Sequence, residues 1–199
     1  QGIGMAIQEV YSQPAVVMGL GLIVIAIAFK LSLAPFHVWT PDVYQGAPAP
    51  VATFLATVSK VAVLAVFIRY IIVSYTAAFA NIQVVLTVLA VLSILVGNLL
   101  AVRQVNLKRL LGYSSIAHFG YILVAILCTG INSIPTVTIY MATYVLTTIG
   151  AFGAVALMSS PYAKTEAESL ADYRGLFWRR PILTAVLTVM MLSLAGIPL

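Results

Sequence analysis

Long apolar runs alternate with short polar connections along this chain. Six runs occur, at about 14–44, 50–73, 82–102, 107–129, 134–158 and 181–199. A helix needs about 20 apolar residues to cross a bilayer, and these runs are continuously apolar rather than alternating as barrel strands are. The pattern predicts an all-α, polytopic transmembrane helix bundle that forms a single domain over residues 1–199. Because the chain lacks a starting Met and stops inside an apolar run, we expect it to be a piece of a longer membrane protein.

The first run is too long for one straight crossing and contains Pro35. Proline removes a helix hydrogen bond and clashes with the preceding turn, so we expect a discontinuous helix near Pro35. The stretch LSLAPF at 31–36 resembles LSLAGIPL at 192–199, which suggests a second break near Pro198. Paired interrupted helices are typical of transporters, but both spans run in the same direction, so this likeness does not establish an inverted repeat.

Composition supports the membrane interpretation. Hydrophobic residues make up 62% of the chain and charged residues 8%, against about 25% charged in soluble domains. The net charge of +5 lies in short connections, so it indicates topology rather than a nucleic-acid partner. The positive-inside rule makes the loops 41–50, 103–110 and 159–181 cytoplasmic, since the opposite side carries only Arg69. The basic residues of these loops are Arg103, Lys108, Arg109, Lys164, Arg174, Arg179 and Arg180.

Neither a redox centre nor a metal site is expected on this chain. The single cysteine, Cys128, lies in an apolar run without a CxxC partner, so we interpret it as a packed side chain. The sequence also lacks cysteine clusters, a Rossmann glycine motif and a flavin motif.

Three ionisable residues lie at membrane depth: Lys30, Lys60 and His118. Such a group costs about 2.5–3.5 kcal/mol on insertion scales and usually faces a bundle interior or a wet cavity. Lys60 is roughly ten residues, about 15 Å, from either end of its span, too far for its ammonium to reach water easily. A break at Pro35 would likewise hold Lys30 at depth, beside freed carbonyl groups. His118 has two interpretations, as a relay group or as a satisfied hydrogen-bonding group.

Polar stripes accompany these residues. Ser114, His118 and Tyr121 share one helix face. Further stripes are formed by Thr53, Thr57 and Lys60 and by Tyr140, Tyr144 and Thr147. The stripes either enclose water or join the helices by hydrogen bonds. We expect relay support from His37, Thr57, Ser114, Tyr121 and Tyr144.

A proton relay is the function that this set predicts. Burial disfavours the charged form of an amine, so a buried lysine can exchange a proton near neutral pH. No acidic residue lies inside a span, since Asp42 belongs to the loop after the break, so a carboxylate partner should come from another part of the subunit or from another subunit. His37 either joins the relay or caps backbone groups freed by the break, and we favour the second role.

Three stretches carry a family resemblance: FKLSLAPFHVWTPDVYQGAPAPVATFLATVSK, GNLLAVRQVNLKRLLGYSSIAHFGYILVA and YRGLFWRRPILTAVLTVMMLSLAGIPL. They closely resemble the subunit N family of bacterial proton-pumping NADH:quinone oxidoreductase, respiratory complex I, which is antiporter-like. The resemblance implies that the chain covers the seventh helix to the first half of the twelfth, out of fourteen. It implies that Lys30, Lys60 and His118 match the family's proton-carrying residues, and that Pro35 and Pro198 lie in its two discontinuous helices. The partner glutamate and a further lysine would then lie before and after this piece.

The resemblance also implies a function. The chain would belong to a translocase of the bacterial inner membrane that moves protons, driven by electron transfer from NADH to quinone. NADH, FMN, iron–sulfur clusters and quinone would be bound by other subunits. The expected partners are other membrane subunits of the complex, lipid, protons and water. Two alternatives remain at this point, namely a subunit of an Mrp-type cation/proton antiporter and a structural membrane scaffold.

Overall fold

The computed structural model describes residues 14–73, 79–129, 133–159 and 167–196. The predicted all-α fold is confirmed, since extended pairing in these ranges amounts to an isolated bridge between Asn106 and Ser169. The helices are α1 (Pro14–Leu31), α2 (Trp39–Gly46), α3 (Ala49–Ala56), α4 (Val58–Val73), α5 (Phe79–Val102), α6 (Leu107–Thr129), α7 (Ser133–Met158), α8 (Leu176–Arg179) and α9 (Pro181–Leu194), with a 3₁₀ turn at Leu170–Tyr173.

Five helical segments in the described ranges are long and apolar enough to cross a membrane. They are Pro14–Leu31, Ala49–Tyr70, Ile82–Val102, Leu107–Cys128 and Ile134–Met158. Helix α9 is apolar but shorter, with 14 residues. The predicted break at Pro198 lies outside the described residues.

The predicted discontinuity near Pro35 is confirmed. Helix α1 ends at Leu31 and α2 begins at Trp39. Ser32 takes the left-handed conformation, with φ 65°, and its Oγ accepts a hydrogen bond from Thr40 Oγ1 at 2.6 Å. Pro35 stands four residues after Leu31 and has no N–H, so the Leu31 carbonyl has no helical partner. The structure therefore frees the Leu31 carbonyl at the end of α1.

Helix α5 stabilises this break from the side. The backbone N–H of Ala34 donates to Ser93 Oγ at 2.9 Å, in a buried contact. Ser93 itself donates to the Leu89 carbonyl one turn earlier. A buried backbone donor without a partner would cost free energy, so Ser93 compensates for the loss of regular helix.

A second discontinuity occurs at Thr57, within a span that the apolar pattern predicted as uninterrupted. Thr57 separates α3 from α4 and has φ −108° and ψ −84°. The N–H of Lys60 bonds to the Thr57 carbonyl at 3.1 Å, so the Ala56 carbonyl lacks its regular helical donor. Thr57 Oγ1 donates to the Thr53 carbonyl at 2.7 Å, and this kind of back-bonding bends helices.

Helices α5 and α6 form a closely packed hairpin in the centre of the bundle. A Cβ atom on Gly97 would lie 2.6 Å from the backbone nitrogen of Ala117. Only a residue without a side chain therefore permits this approach. The close contact places the buried face of α6 against α4 and α7, where the candidate site lies.

Three connections meet at one end of the bundle. Lys108 Nζ donates to the Ala47 carbonyl at 2.8 Å and pairs with Glu168 Oε1 at 2.8 Å. Arg109 pairs with Asp42 from the first connection. The N–H of Leu107 donates to the Glu168 carbonyl at 2.7 Å. The connections after the first, third and fifth spans thus share one end, as the alternation of spans requires.

Candidate functional site

Lys60 lies at the centre of the bundle, one turn after the break at Thr57, and is 1% exposed. Its ammonium donates to Ser115 Oγ at 2.7 Å and to the Leu31 carbonyl at 3.3 Å. The Leu31 carbonyl is the one that Pro35 leaves without a helical donor. The broken helix therefore supplies an acceptor for a cation on another helix.

Two aromatic rings complete the surroundings of this ammonium. The Lys60 nitrogen lies 4.8 Å from the centroid of Phe119 and 5.8 Å from that of Tyr44. Ring faces attract a cation, more strongly when water is excluded. In the described ranges, the recorded contacts of Lys60 are thus a hydroxyl, a carbonyl and two rings, with no carboxylate among them. The site holds its charge by dipoles rather than by an ion pair.

The hydrogen-bonded path continues to α7. Tyr144 Oη lies 3.0 Å from Ser115 Oγ and 3.4 Å from the carbonyl of Ala56, the group that the second break frees. Ser115 therefore connects Lys60 with Tyr144 through hydroxyl groups. Hydroxyls both donate and accept, so this series can carry a proton by successive transfers.

His118 adjoins the path on the far side of Tyr144 and is 7% exposed. The two ring centroids lie 5.4 Å apart. His118 Nδ1 shares a hydrogen bond of 2.6 Å with Tyr140 Oη. A cavity of about 550 Å³ adjoins His118, Tyr140 and Tyr144 and reaches Ser193 of α9. This volume is far above the roughly 15 Å³ that one water needs, so water can connect these side chains.

Lys30 and His37 lie at the first break. Lys30 is the next-to-last residue of α1 and half-buried, and it is an electrostatic neighbour of Lys60. His37 lies between α1 and α2 and contacts the backbone of Pro35. The amines of Lys30 and Lys60 therefore act on each other electrostatically. His37 instead contacts the interrupted backbone at Pro35.

Thr57 and Tyr121, two other predicted residues, make different contacts. Thr57 bonds back to its own helix, as described above. Tyr121 is 40% exposed, and its hydroxyl accepts from Asn98 Nδ2 at 2.8 Å. Its ring meets that of His118 edge-on, with centroids 6.0 Å apart. Tyr121 therefore lies at the edge of the site.

Ser115 is the residue that sequence reasoning missed. We predicted Ser114, which is half-buried, but its neighbour Ser115 contacts the ammonium. Ser115, His118 and Phe119 are spaced i, i+3 and i+4, so they also share a helix face. That spacing was visible in the sequence, but the face that α6 turns toward Lys60 is decided by the close packing of α6 on α5.

The whole chain, residues 1–199, matches the model of the NADH:quinone oxidoreductase/Mrp antiporter transmembrane family. The chain belongs to this family. It is thus a multi-pass membrane protein, and the resemblance to the subunit N family is confirmed by curated relatives.

Three of these relatives are each named NADH-quinone oxidoreductase subunit N. The protein of Acinetobacter baumannii is 71% identical over 94% of this chain. That of Psychrobacter arcticus is 57% identical over 99%, and that of Ectopseudomonas mendocina is 63% identical over 92%. The chain spans between 37% and 40% of the length of these relatives.

Solved structures share the arrangement of helices. Respiratory complex I from Thermus thermophilus contains a chain that is 41% identical, with a TM-score of 0.77, of which this chain covers 40%. An archaeal membrane-bound sulfane sulfur reductase contains a chain that is 27% identical, with a TM-score of 0.81. The present chain covers 38% of it. The Mrp complex from Dietzia contains a chain that is 21% identical, with a TM-score of 0.80, and the present chain covers 34% of it. At this identity the likeness shows the fold alone. Each match covers 94% of this chain.

Proposed function

We propose that this chain forms part of a subunit that translocates protons across the bacterial inner membrane within an NADH:quinone oxidoreductase. One observation supports the proposal above all. Lys60 is 1% exposed, and its ammonium is bound to Ser115 and to a carbonyl of a broken helix. An intramembrane cation without a carboxylate contact is costly to retain, which favours a functional role over a structural one. The names of relatives 57–71% identical support the same activity.

In this proposal Lys60 is the central proton carrier. A proton leaving its ammonium passes to the hydroxyls of Ser115 and Tyr144, and then through water in the adjoining cavity to His118. Lys30 is an electrostatic neighbour of Lys60, so a positive charge on one amine opposes a positive charge on the other. In this proposal the break at Pro35 holds both Lys30 and the freed Leu31 carbonyl at membrane depth.

Electron transfer belongs to other subunits in this proposal. NADH, FMN, iron–sulfur clusters and quinone are bound there, and the present chain contributes the proton path. Its partners are the neighbouring membrane subunits, the lipid, water and protons. The loops 41–50, 103–110 and 159–181 face the cytoplasm, because they contain most of the basic residues.

The test replaces Lys60 or Lys30 with Ala in the full subunit of the assembled complex. NADH-driven proton pumping and quinone reduction are measured in membranes. We expect assembled complex with reduced pumping for both variants. Arg69→Ala is the control, because Arg69 lies on the same helix as Lys60 but is exposed. Pumping and quinone reduction at the unsubstituted level in Lys60→Ala would contradict the relay.

The same preparation distinguishes the two alternatives. A subunit of an Mrp-type antiporter would exchange cations for protons without flavin and iron–sulfur subunits and without NADH-dependent activity. A structural scaffold would tolerate Lys60→Met with full pumping, because its polar groups would only join helices. The proposal requires co-purification with redox subunits and impaired pumping in Lys60→Met.

A further inference from the structure

An apolar groove of about 560 Å³ runs between α7 and α9, away from the buried lysines. Gly150, Gly153 and Ala154 form its α7 wall, and Ile182 and Val186 belong to its α9 wall. A Cβ atom on Gly153 would meet no other atom within 4 Å. Gly153 therefore leaves an open furrow whose apolar walls suit a hydrocarbon chain, whereas Met190 of α9 packs closely against Gly150.

The mouth of this groove is cationic. Arg180 lines it, and Arg180 Nη1 donates to the Leu157 carbonyl at 2.7 Å. That bond fixes the guanidinium at the end of α7 while its other N–H groups stay available. Arg179 is adjacent and exposed, and its Nη2 donates to the Arg174 carbonyl. Helix α9 begins at Pro181 without a side-chain cap, so the positive end of its dipole adds to the same mouth.

The adjacent aromatic residues place this mouth at the bilayer surface. Phe177 is 59% exposed and Trp178 is 86% exposed. Exposed aromatic rings beside arginines are typical of the membrane–water interface, where the ring lies at headgroup depth. The groove therefore opens at the level of lipid phosphates and descends toward the acyl chains.

We propose that this groove binds an anionic phospholipid of the surrounding bilayer. One acyl chain lies between α7 and α9, and the phosphate contacts the guanidinium groups of Arg179 and Arg180. The stretch YRGLFWRRP at 173–181 contains three arginines and no acidic residue, so the mouth favours an anionic over a zwitterionic headgroup. A covering protein helix with an apolar face would fill the furrow but would bring no charge for these arginines.

The test uses the full-length subunit in its assembled complex, reconstituted with phosphatidylethanolamine and phosphatidylglycerol. Native mass spectrometry measures how much of each lipid the complex retains. For Arg179→Gln/Arg180→Gln we expect roughly thirty-fold weaker retention of phosphatidylglycerol, since two basic groups near the surface are lost. Gly153→Leu fills the furrow, keeps both charges and should also lose the lipid. Arg103→Gln is the matched control, because Arg103 is an exposed arginine at the same end of the bundle.

A photo-crosslinking residue at Leu157 tests the occupant in a chain that keeps both arginines. Labelling of phosphatidylglycerol, together with its loss in both groove variants and its retention in Arg103→Gln, supports the proposal. Equal retention of the two lipids would overturn it, as would unchanged phosphatidylglycerol in the double variant. A crosslink to a protein segment instead of lipid would also overturn it, and that readout remains decisive if the double variant fails to assemble.

Discussion

Two buried lysines in this bundle have opposite surroundings. Lys60 and Lys108 are each 1% exposed. Lys108 contacts the carboxylate of Glu168 at 2.8 Å, whereas Lys60 contacts a hydroxyl, a carbonyl and two rings. The carboxylate of Glu168 compensates the buried ammonium of Lys108, so Lys108 is suited to joining the two segments. Lys60 is held by neutral dipoles, which is the arrangement expected for a group that gains and loses a proton.

The two environments also have different energetic consequences. Removing one partner of a buried ion pair is strongly destabilising, because the other charge is left uncompensated. Lys60 contacts no carboxylate among the described residues, so its replacement leaves no opposite charge behind there. The comparison therefore predicts that Lys108 matters mainly for stability and Lys60 mainly for function.

The largest effect on stability is expected for Lys108→Met. The variant leaves Glu168, whose side chain is 26% exposed, and the Ala47 carbonyl without their ammonium donor. We expect the free energy of unfolding to fall by about 3 kcal/mol, at the lower end for a buried pair because Glu168 is partly exposed. Thermal and denaturant unfolding of the full subunit in detergent measure this change.

Two controls accompany Lys108→Met. Adding Glu168→Gln removes the uncompensated carboxylate and should recover part of the loss, as measured in a double-mutant cycle. Lys60→Met should change the free energy of unfolding little or increase it. A loss in Lys60→Met as large as that in Lys108→Met would remove the distinction between the two lysines.

An intermediate loss of stability is expected at the break near Pro35, where the Leu31 carbonyl accepts a hydrogen bond from Lys60. Ser93→Ala leaves the buried N–H of Ala34 without its acceptor, which should cost about 1–3 kcal/mol. The measurement is again unfolding in detergent. Thr138→Ala is the control, because Thr138 is exposed. Among the described residues, its hydroxyl donates to the Ile134 carbonyl of its own helix. Equal stability of the Ser93→Ala and Thr138→Ala variants would show that Ser93 does not support the break.

The smallest effect is expected at Arg109, beside Lys108. The side chain of Arg109 is 29% exposed and that of its partner Asp42 is 65% exposed. Exposed pairs contribute about 0–1 kcal/mol and are screened by salt. Arg109→Gln should therefore lower stability by less than Lys108→Met, and the difference from the unsubstituted subunit should shrink at high salt. If Arg109→Gln lost as much stability as Lys108→Met, and lost it equally at low and high salt, exposure would not explain a difference between the two ion pairs.

The sequence predicted the parts of the site that depend on local chemistry. Lys60 and His118 each lie near the middle of a long, mainly apolar run, which indicated their depth, and Pro35 cannot continue a helix. The break at Thr57 was not predicted, because threonine is compatible with a continuing helix and no proline or glycine adjoins it. Ser115 was missed by one position, since only packing fixes the rotation of α6.

The pairing of Lys108 with Glu168 was also absent from the sequence analysis. Both residues lie in connections that are far apart along the chain, and only the charge of Lys108 was used, to assign the side of the membrane. The contact forms because the connection after α7 folds back onto the start of α6. Periodicity within single helices carries no information about such long-range contacts.

The most direct test gives Lys60 the kind of partner that Lys108 has. Ser115→Asp places a carboxylate where the Lys60 ammonium now meets a hydroxyl, and Ser115→Asn is the uncharged control of similar size. The measurement is the number of protons pumped per NADH oxidised by the assembled complex in membranes. We predict a lower ratio in Ser115→Asp than in Ser115→Asn, because an ion pair would hold the proton on Lys60. An unchanged ratio in an assembled Ser115→Asp complex would contradict the assignment of Lys60 as a proton carrier.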